Sequence, residues 1–489
     1  MSALIILLPP LLAALLVCIP LGKRWMAGVT VVSCLVDLIL IGLLAQRVVA
    51  GRSSGELLGA AWSKWIAVDG FSALVLLLIA LIATTAAIFS FGYMAHAHPT
   101  AKKLRLYYAN YNLFVFSMLA IPVLAEPTLV WIVVELTTLC SALLVSFDNT
   151  CEALEAAWKY VVLSLMGAGV ALFGFMVLFA ALRAGGGGAY TWMGLVTAAP
   201  RLPAILLQTA FLLILVGLGT KVGLVPMHTW LPDAHSQAPS PVCALLSGIE
   251  TTCILYVILR LIPVMHAAPG VFADTWALVF GLISVGTSAF LLLQVKDYKR
   301  LFAFSTVEHM GIILTAIGFG GSAAEHGAMQ QIVAHSLTKS FCFFAAGAAL
   351  LATGTREIAA VRGLMRRSPI AAAALILGAL AIAGAPPLAV FLSEFTILKA
   401  GLARGEYVAT GFLATFIVIA FFGVMAHVNR MVFTSSQTQS ETATTETFRL
   451  PFSCRLALIL AAAPVLVLGV YVPKALNDLL TLAATAVMR

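Results

Sequence analysis

Residues 211–242 read FLLILVGLGTKVGLVPMHTWLPDAHSQAPSPV. The first ten are apolar or glycine and suit a helix in hydrocarbon. Lys221 then appears five residues before Pro226, and Pro232, Pro239 and Pro241 follow. Proline removes a backbone donor and kinks or breaks a helix. At membrane depth such a break persists only where protein or a water-filled cavity satisfies the freed backbone groups. An apolar helix ending in a lysine and a proline-rich break therefore belongs inside a bundle of membrane helices.

The rest of the chain agrees. Of 489 residues, 62% are hydrophobic and 10% are charged, and the mean hydropathy is +1.06. Soluble domains run near half apolar and a quarter charged, so a water-soluble fold could not cover its surface with these residues. A crossing needs roughly 20 apolar residues. Such runs lie near 2–21, 26–46, 68–94, 106–124, 127–147, 154–182, 204–225, 240–264, 272–294, 301–319, 326–351, 369–399, 407–433 and 455–480. The expected fold is all-α and polytopic, with about 14 transmembrane helices. The first run lacks a basic segment before it, since Lys23 and Arg24 follow it; it reads as the first span and not as a signal peptide.

A second interruption, Ala385-Pro386-Pro387, falls in the twelfth run, five spans after the break at Pro226 in the seventh. Paired broken helices in corresponding halves of a transporter point to an ion site. The spacing suggests two five-helix repeats. The organisation reads as N-terminal helices over 1–105, a first repeat over 106–265, a second over 266–433, and a C-terminal loop and last span over 434–489.

The net charge of +8 does not indicate nucleic-acid binding, because no basic stripe with interleaved aromatics occurs. The basic residues sit in short connectors. Counted from the first, the odd connectors hold Lys23, Arg24, Lys102, Lys103, Lys296, Lys299, Arg300, Arg356, Arg366 and Arg367 among others. The even ones hold about half as many. The positive-inside rule places the odd connectors in the cytoplasm and both termini on the periplasmic side of an inner membrane. None of the eight cysteines forms a C-x-x-C pair, and iron–sulfur ligation needs clustered thiolates. No cofactor is expected, so any electrons flow through a partner.

The informative residues are ionisable groups inside apolar runs, each costing a few kcal/mol or more at the bilayer centre. They are Glu135, Lys221, Glu250, His309 with Glu308 beside it, His335, Lys339 and Glu394. His335 and Lys339 are four apart and share a helix face. Read singly, each is as readily structural, as an ion pair or a side chain snorkelling to the interface, as it is functional. Glu308 and His309 fit a helix end facing water, and Glu250 fits a local pair with Arg260. Read together, acids and bases on successive spans are what a proton relay needs. His228, His235 and Asp233 lie close on a proline-rich loop, but their spacing supports no metal site. His96 and His98 read as solvated connector residues. Asp37 in the second run has no partner visible in sequence.

The run KVGLVPMHTWLPDAHSQAPSPV resembles the signature of the antiporter-like membrane subunits of respiratory complex I, membrane-bound hydrogenases and multi-subunit cation/proton antiporters. The resemblance covers nearly the whole chain. Within it, STVEHMG, the HSLTKS lysine and TGTREI (Thr353 to Ile358) look most like hydrogenase-4 component F. Glu135 looks like the family's fifth-helix carboxylate, and Lys221 like its partner on the broken seventh helix. His309 and His335 look like central-axis histidines, Lys339 like the central lysine, and Glu394 like the terminal carboxylate on the broken twelfth helix. Where many members carry a lysine or histidine on the eighth helix this chain has Thr252, with Glu250 the nearest ionisable group.

The resemblance implies a proton-translocating subunit of a redox-driven complex of hydrogenase-4 or NADH:quinone oxidoreductase type, with no redox centre of its own. Its partners would be other membrane subunits and a peripheral redox arm. Protons would enter near the eighth span and leave through Glu394. The alternatives are a sodium/proton antiporter subunit without redox coupling and a structural membrane anchor whose charges are buried pairs.

Overall fold

The computed structural model describes residues 3–20, 22–51, 65–97, 99–434 and 448–488. Arg52, Lys64, His98 and 435–447 of the C-terminal loop lie outside the described residues. Among those described the chain is all helical, apart from the isolated bridges Ile66–Leu124 and Asp297–Glu357. The principal helices are α1 (Leu4–Leu16), α2 (Lys23–Val49), α3 (Gly70–His96), α4 (Ala101–Ala120), α5 (Pro127–Val145), α6 (Cys151–Ala184), α7 (Ala204–Val222) and α8 (Ser240–His266). They continue as α9 (Ala273–Leu292), α10 (Tyr298–Phe319), α11 (Ser322–Thr353), α12 (Pro369–Ile382), α13 (Ala389–Ala403), α14 (Tyr407–Phe433), α15 (Phe452–Val467) and α16 (Lys474–Met488).

Ten of these helices are long and apolar enough to cross a membrane, and the chain is a multi-pass membrane protein. Four expected runs look different in the structure. The first is a short helix, α1. The fourth run is α4, made less apolar by Tyr107, Tyr108, Asn110, Tyr111 and Asn112. These groups turn inward: Tyr111 donates to the Ala83 carbonyl at 2.6 Å and Asn112 to Thr30 at 2.9 Å. The twelfth run is split into α12 and α13. The last is split into α15 and α16, and their junction lies against the α12–α13 break, where a methyl on Gly469 would overlap the Pro387 carbonyl.

Local sequence sets the ends. Asp69, Thr100, Glu126, Thr150 and Asp297 cap the first turns of α3, α4, α5, α6 and α10. Each side-chain oxygen accepts a backbone N–H that would otherwise lack a partner. Gly223, at φ +86°, ends α7 in the left-handed region open to glycine.

Burial is graded. α8 is buried along its length, α3, α10 and α11 for most of theirs, and α2, α6 and α14 present much of their surface outward. Those outer faces carry Val32, Ile39, Trp158, Met166, Phe412 and Phe422. These apolar residues suit contact with lipid or another membrane subunit, while exposed Glu155 and Lys159 lie in the first turns of α6. Close crossings bind the inner helices. Gly167 and Gly217 bring α6 and α7 into backbone contact, and Gly281 and Gly311 do so for α9 and α10. Small residues allow this approach where no hydrophobic effect drives helices together.

Candidate functional site

The α7 break is closed by protein. Residues 226–241 are not the open loop their prolines suggested, because Trp230–Gln237 form a short buried helix. Its Trp230 indole donates to the Thr220 carbonyl at 2.7 Å, and Ser284 of α9 accepts from Val225 N at 3.1 Å. These bonds satisfy backbone groups that the break releases. Lys221 thus sits in the last turn of α7, where the helix dipole favours a cation. Its Nζ donates to the Val134 carbonyl at 2.6 Å and to Glu135 Oε1 at 3.1 Å. The lysine side chain is 1% exposed and the glutamate 18%.

Glu250 lies in a π-helical stretch of α8, Leu246–Glu250, and is buried. It does not pair with Arg260. Arg260 sits ten residues on and instead grips Asp69 at the start of α3, at 2.5 and 2.6 Å, together with Ser72 and Tyr256. Burial pushes the Asp69 carboxyl up, but the Arg260 charge more than offsets this and holds it below its ordinary 3.8. Glu250 accepts from Tyr160 Oη at 3.0 Å, which also meets Ser141 at 2.8 Å. Lys221 lies within electrostatic range of this carboxylate as well as of Glu135.

Thr252 faces α11, its hydroxyl 3.2 Å from that of Ser336, the neighbour of His335. His335 Nε2 donates to the Ser247 carbonyl of α8 at 3.2 Å. Its ring centroid is 5.2 Å from that of His309. His309 donates through Nε2 to the carbonyl of Ile382, the last residue of α12, at 3.0 Å. That carbonyl is one the second break leaves free. His309 Nδ1 accepts from Gln331 at 2.8 Å, and Ser393, beside Glu394, donates to Gln331 Oε1.

Lys339 is wholly buried and donates to the Phe302 carbonyl and to Ser305 Oγ, both at 2.5 Å. Glu308 lies one turn beyond Ser305 on α10. It is buried in the middle of that helix, as is His309, and neither faces water at a helix end. Both Lys339 and Glu394 lie within electrostatic range of Glu308. Glu394 is buried against Gly384 of the second break. The structure so gathers all seven ionisable candidates in one band through α5, α7, α8, α10, α11 and α13.

Sequence reasoning missed Tyr160, Gln331, Ser393 and the importance of Glu308. For Gln331 a signal existed: Gln331, His335 and Lys339 recur every four residues on one face of α11. Asp233 meets Lys159 at 3.2 Å and Arg300 at 2.7 Å. Asp37 is buried with neither oxygen hydrogen-bonded among the described residues; we have no physical account of it.

A bundle with broken helices, whose interior carries this band of acids and bases, belongs to the class of antiporter-like membrane subunits. The sequence profile of the NADH:quinone oxidoreductase/Mrp antiporter transmembrane family matches residues 125–420, and the chain belongs to that family. The profile of the complex I chain 5 N-terminus matches residues 63–102. A hydrogenase-4 component F homolog of Methylacidiphilum infernorum is 36% identical over 414 residues, 83% of this chain and 85% of that one. Two solved structures share the fold. One is a chain of an archaeal membrane-bound sulfane sulfur reductase, with TM-score 0.86 and 22% identity over 99% of this chain and 97% of that one. The other belongs to the Mrp complex of Dietzia sp. DQ12-45-1b, with TM-score 0.86 and 20% identity over 100% and 97%.

Proposed function

We propose that the protein is a proton-translocating subunit of a redox-driven membrane complex, without redox chemistry of its own. The observation that carries this reading is the buried polar band from Glu135 to Glu394. Hydroxyls fill the gaps between its ionisable groups. A hydroxyl donates and accepts at once, so Thr252–Ser336 and Ser247–Thr306, the latter 2.6 Å apart, span the place where Thr252 replaces a basic residue. A proton held between Lys221, Glu135 and Glu250 passes by these groups to His335, Lys339 and Glu308, and leaves through Glu394. Glu135 tunes Lys221, and the half-helix ends at both breaks supply dipoles at membrane depth.

In this reading the chain crosses the membrane fourteen times, counting α12 with α13 and α15 with α16 as one crossing each. Residues 106–265 and 266–433 are the two five-helix repeats, flanked by 1–105 and 434–489. The basic connectors face the cytoplasm, both termini face the periplasm, and the membrane is the bacterial inner one. The component F homolog supports other membrane subunits and a peripheral hydrogenase or dehydrogenase arm as partners.

The test is proton uptake into sealed vesicles carrying the assembled complex, driven by its electron donor. Glu394→Gln and Lys221→Ala abolish uptake while the complex still assembles. Parental uptake by both variants refutes the relay. Uptake that needs sodium and no electron donor establishes a sodium/proton antiporter instead.

A further inference from the structure

His235 belongs to none of the groups used so far. It lies on the short helix Trp230–Gln237 and is wholly buried. Its Nδ1 bonds the Leu231 carbonyl at 2.8 Å. A carbonyl only accepts, so Nδ1 carries the hydrogen and Nε2 is a bare acceptor. That Nε2 is buried with no hydrogen-bond partner among the described residues. Unpartnered buried polar atoms are uncommon in native proteins and call for an explanation.

The surroundings supply one. On one side the imidazole lies 5.4 Å from the Phe343 ring, and Phe343 lies 6.2 Å from the Phe302 ring, centroid to centroid. Phe302 is the residue whose carbonyl takes Lys339 Nζ, and Phe343 is one turn from Lys339 on α11. Lys339 and Lys299 both lie within electrostatic range of His235. On the other side, the next residues of the short helix, Ser236 and Gln237, line a cleft of about 610 Å³ with Gln294, Asp297, Arg300 and Arg356. The cleft sits on the face whose basic connectors mark the cytoplasm. Its wall is pinned: Lys299 donates to the Ser236 and Ala238 carbonyls, Arg356 to Ser236 O at 2.6 Å and Gln237 Oε1 at 3.0 Å, and Ser236 to Asp297 at 2.5 Å.

We propose that this cleft is the cytoplasmic mouth of the relay and that His235 carries protons from it to Lys339. The proposal rests on the relay reading and moves the inlet from the eighth span to the second repeat. The step is proton transfer alone. Nε2 takes a proton delivered by water in the cleft, and the ring holds it as imidazolium while Nδ1–H stays on Leu231. The same nitrogen then releases it to the neutral amine of Lys339. Only N–H bonds form and break.

The test is His235→Asn in vesicles carrying the assembled complex. Asparagine keeps a donor for the Leu231 carbonyl but has nothing at Nε2. A relay residue typically contributes a hundred-fold or more, so uptake falls about a hundred-fold while the subunit level in the membrane holds. Parental uptake with Lys221→Ala inactive overturns the inlet alone, and parental uptake in both removes the relay itself. A second variant works even if His235→Asn fails to accumulate. Gln237→Cys, labelled from the cytoplasmic side with a bulky impermeant thiol reagent, stops uptake relative to the parental protein treated identically. Full uptake after complete labelling overturns the cleft as the mouth.

Discussion

Removing Glu135 and Lys221 singly and together separates a working pair from a structural one. Their charges are 3.1 Å apart. At an effective dielectric near 20 the Coulomb attraction at that distance is about 5 kcal/mol. The glutamate side chain is 18% exposed, so water screens part of this, and about 3 kcal/mol of coupling is the working figure. Glu135→Gln leaves a buried ammonium with only the Val134 carbonyl and a neutral amide. Lys221→Met leaves a carboxylate facing apolar helices. Each single variant loses about 3 kcal/mol of stability, whereas the double variant, with an amide against a thioether of lysine's length, recovers most of it. The readouts are thermal unfolding of the purified complex and vesicle proton uptake for all four proteins. Stability returns in the double variant and uptake does not, because the lysine that holds the proton between Glu135 and Glu250 is gone. Double-variant uptake at the parental rate refutes the reasoning and leaves a structural anchor. Additive stability losses refute the coupling itself.

Four further outcomes follow from the same geometry. Glu308→Gln keeps the volume but removes the titratable carboxyl within electrostatic range of both Lys339 and Glu394, so the complex assembles and vesicle uptake falls at least ten-fold, on the scale of a lost proton-transfer group. Lys339→Met replaces a buried cation that has no carboxylate within 4.0 Å among the described residues, so unfolding shifts upward by about 1–3 kcal/mol while uptake is lost. Gly384→Ala places a methyl on a residue at φ +72° where Glu394 Oε2 lies. It costs about 1–2 kcal/mol in backbone strain and displaces the carboxylate, read as reduced uptake without loss of assembly. Asp69→Asn removes the charge facing buried Arg260; the Asp69 side chain is 44% exposed, so water screens the pair and stability falls by about 1–2 kcal/mol. Because Arg260 holds Asp69 below its ordinary 3.8, the pair's contribution is full above that value and fades only as pH falls through the lower folded value, so unfolding of the parental protein shows no step from this pair between pH 5 and 8.

The legible parts of this molecule were those encoded locally. Long apolar runs mark most crossings, and prolines mark both breaks, because hydrocarbon tolerates no other reading of them. The failures have physical causes. α4 is recognisable as a run, yet its tyrosines and asparagines make sense only once Ala83 and Thr30 are seen to receive them. The Trp230–Gln237 helix hid behind its prolines; Pro232 sits in its first turn, where the missing N–H costs nothing. Glu308 fits a helix end only until the Asp297 cap is seen eleven residues upstream and Gly311, three residues on, is seen to serve the close α9–α10 crossing. Pairings across the bundle left no local trace. Arg260 reaches Asp69 over 191 positions and Tyr160 reaches Glu250 over 90, so the nearest charge in sequence, Glu250 for Arg260, was the wrong partner.

The buried charges fall into two kinds, and the division carries the functional argument further than their number does. Arg260 with Asp69, and Lys221 with Glu135, have an opposite charge at hydrogen-bond distance. Such pairs repay part of their desolvation and anchor helices whether or not a proton ever moves. Lys339, Glu308 and Glu394 have no ionic partner within 4.0 Å among the described residues; Lys339, His309 and His335 are held by carbonyls, a hydroxyl and the Gln331 amide. In a membrane interior a lone ionisable group lowers stability, and an apolar side chain of the same size would pack there at no such cost. A neutral partner shell, however, accommodates either protonation state without breaking an ion pair. Ion pairs therefore lie at the start of the band and beside it, and groups without an ionic partner fill its second half between α10, α11 and α13. In the proposed relay that asymmetry makes the Lys221 end the place where fixed pairs hold and tune the proton, and the stretch around Lys339 the place from which it moves on.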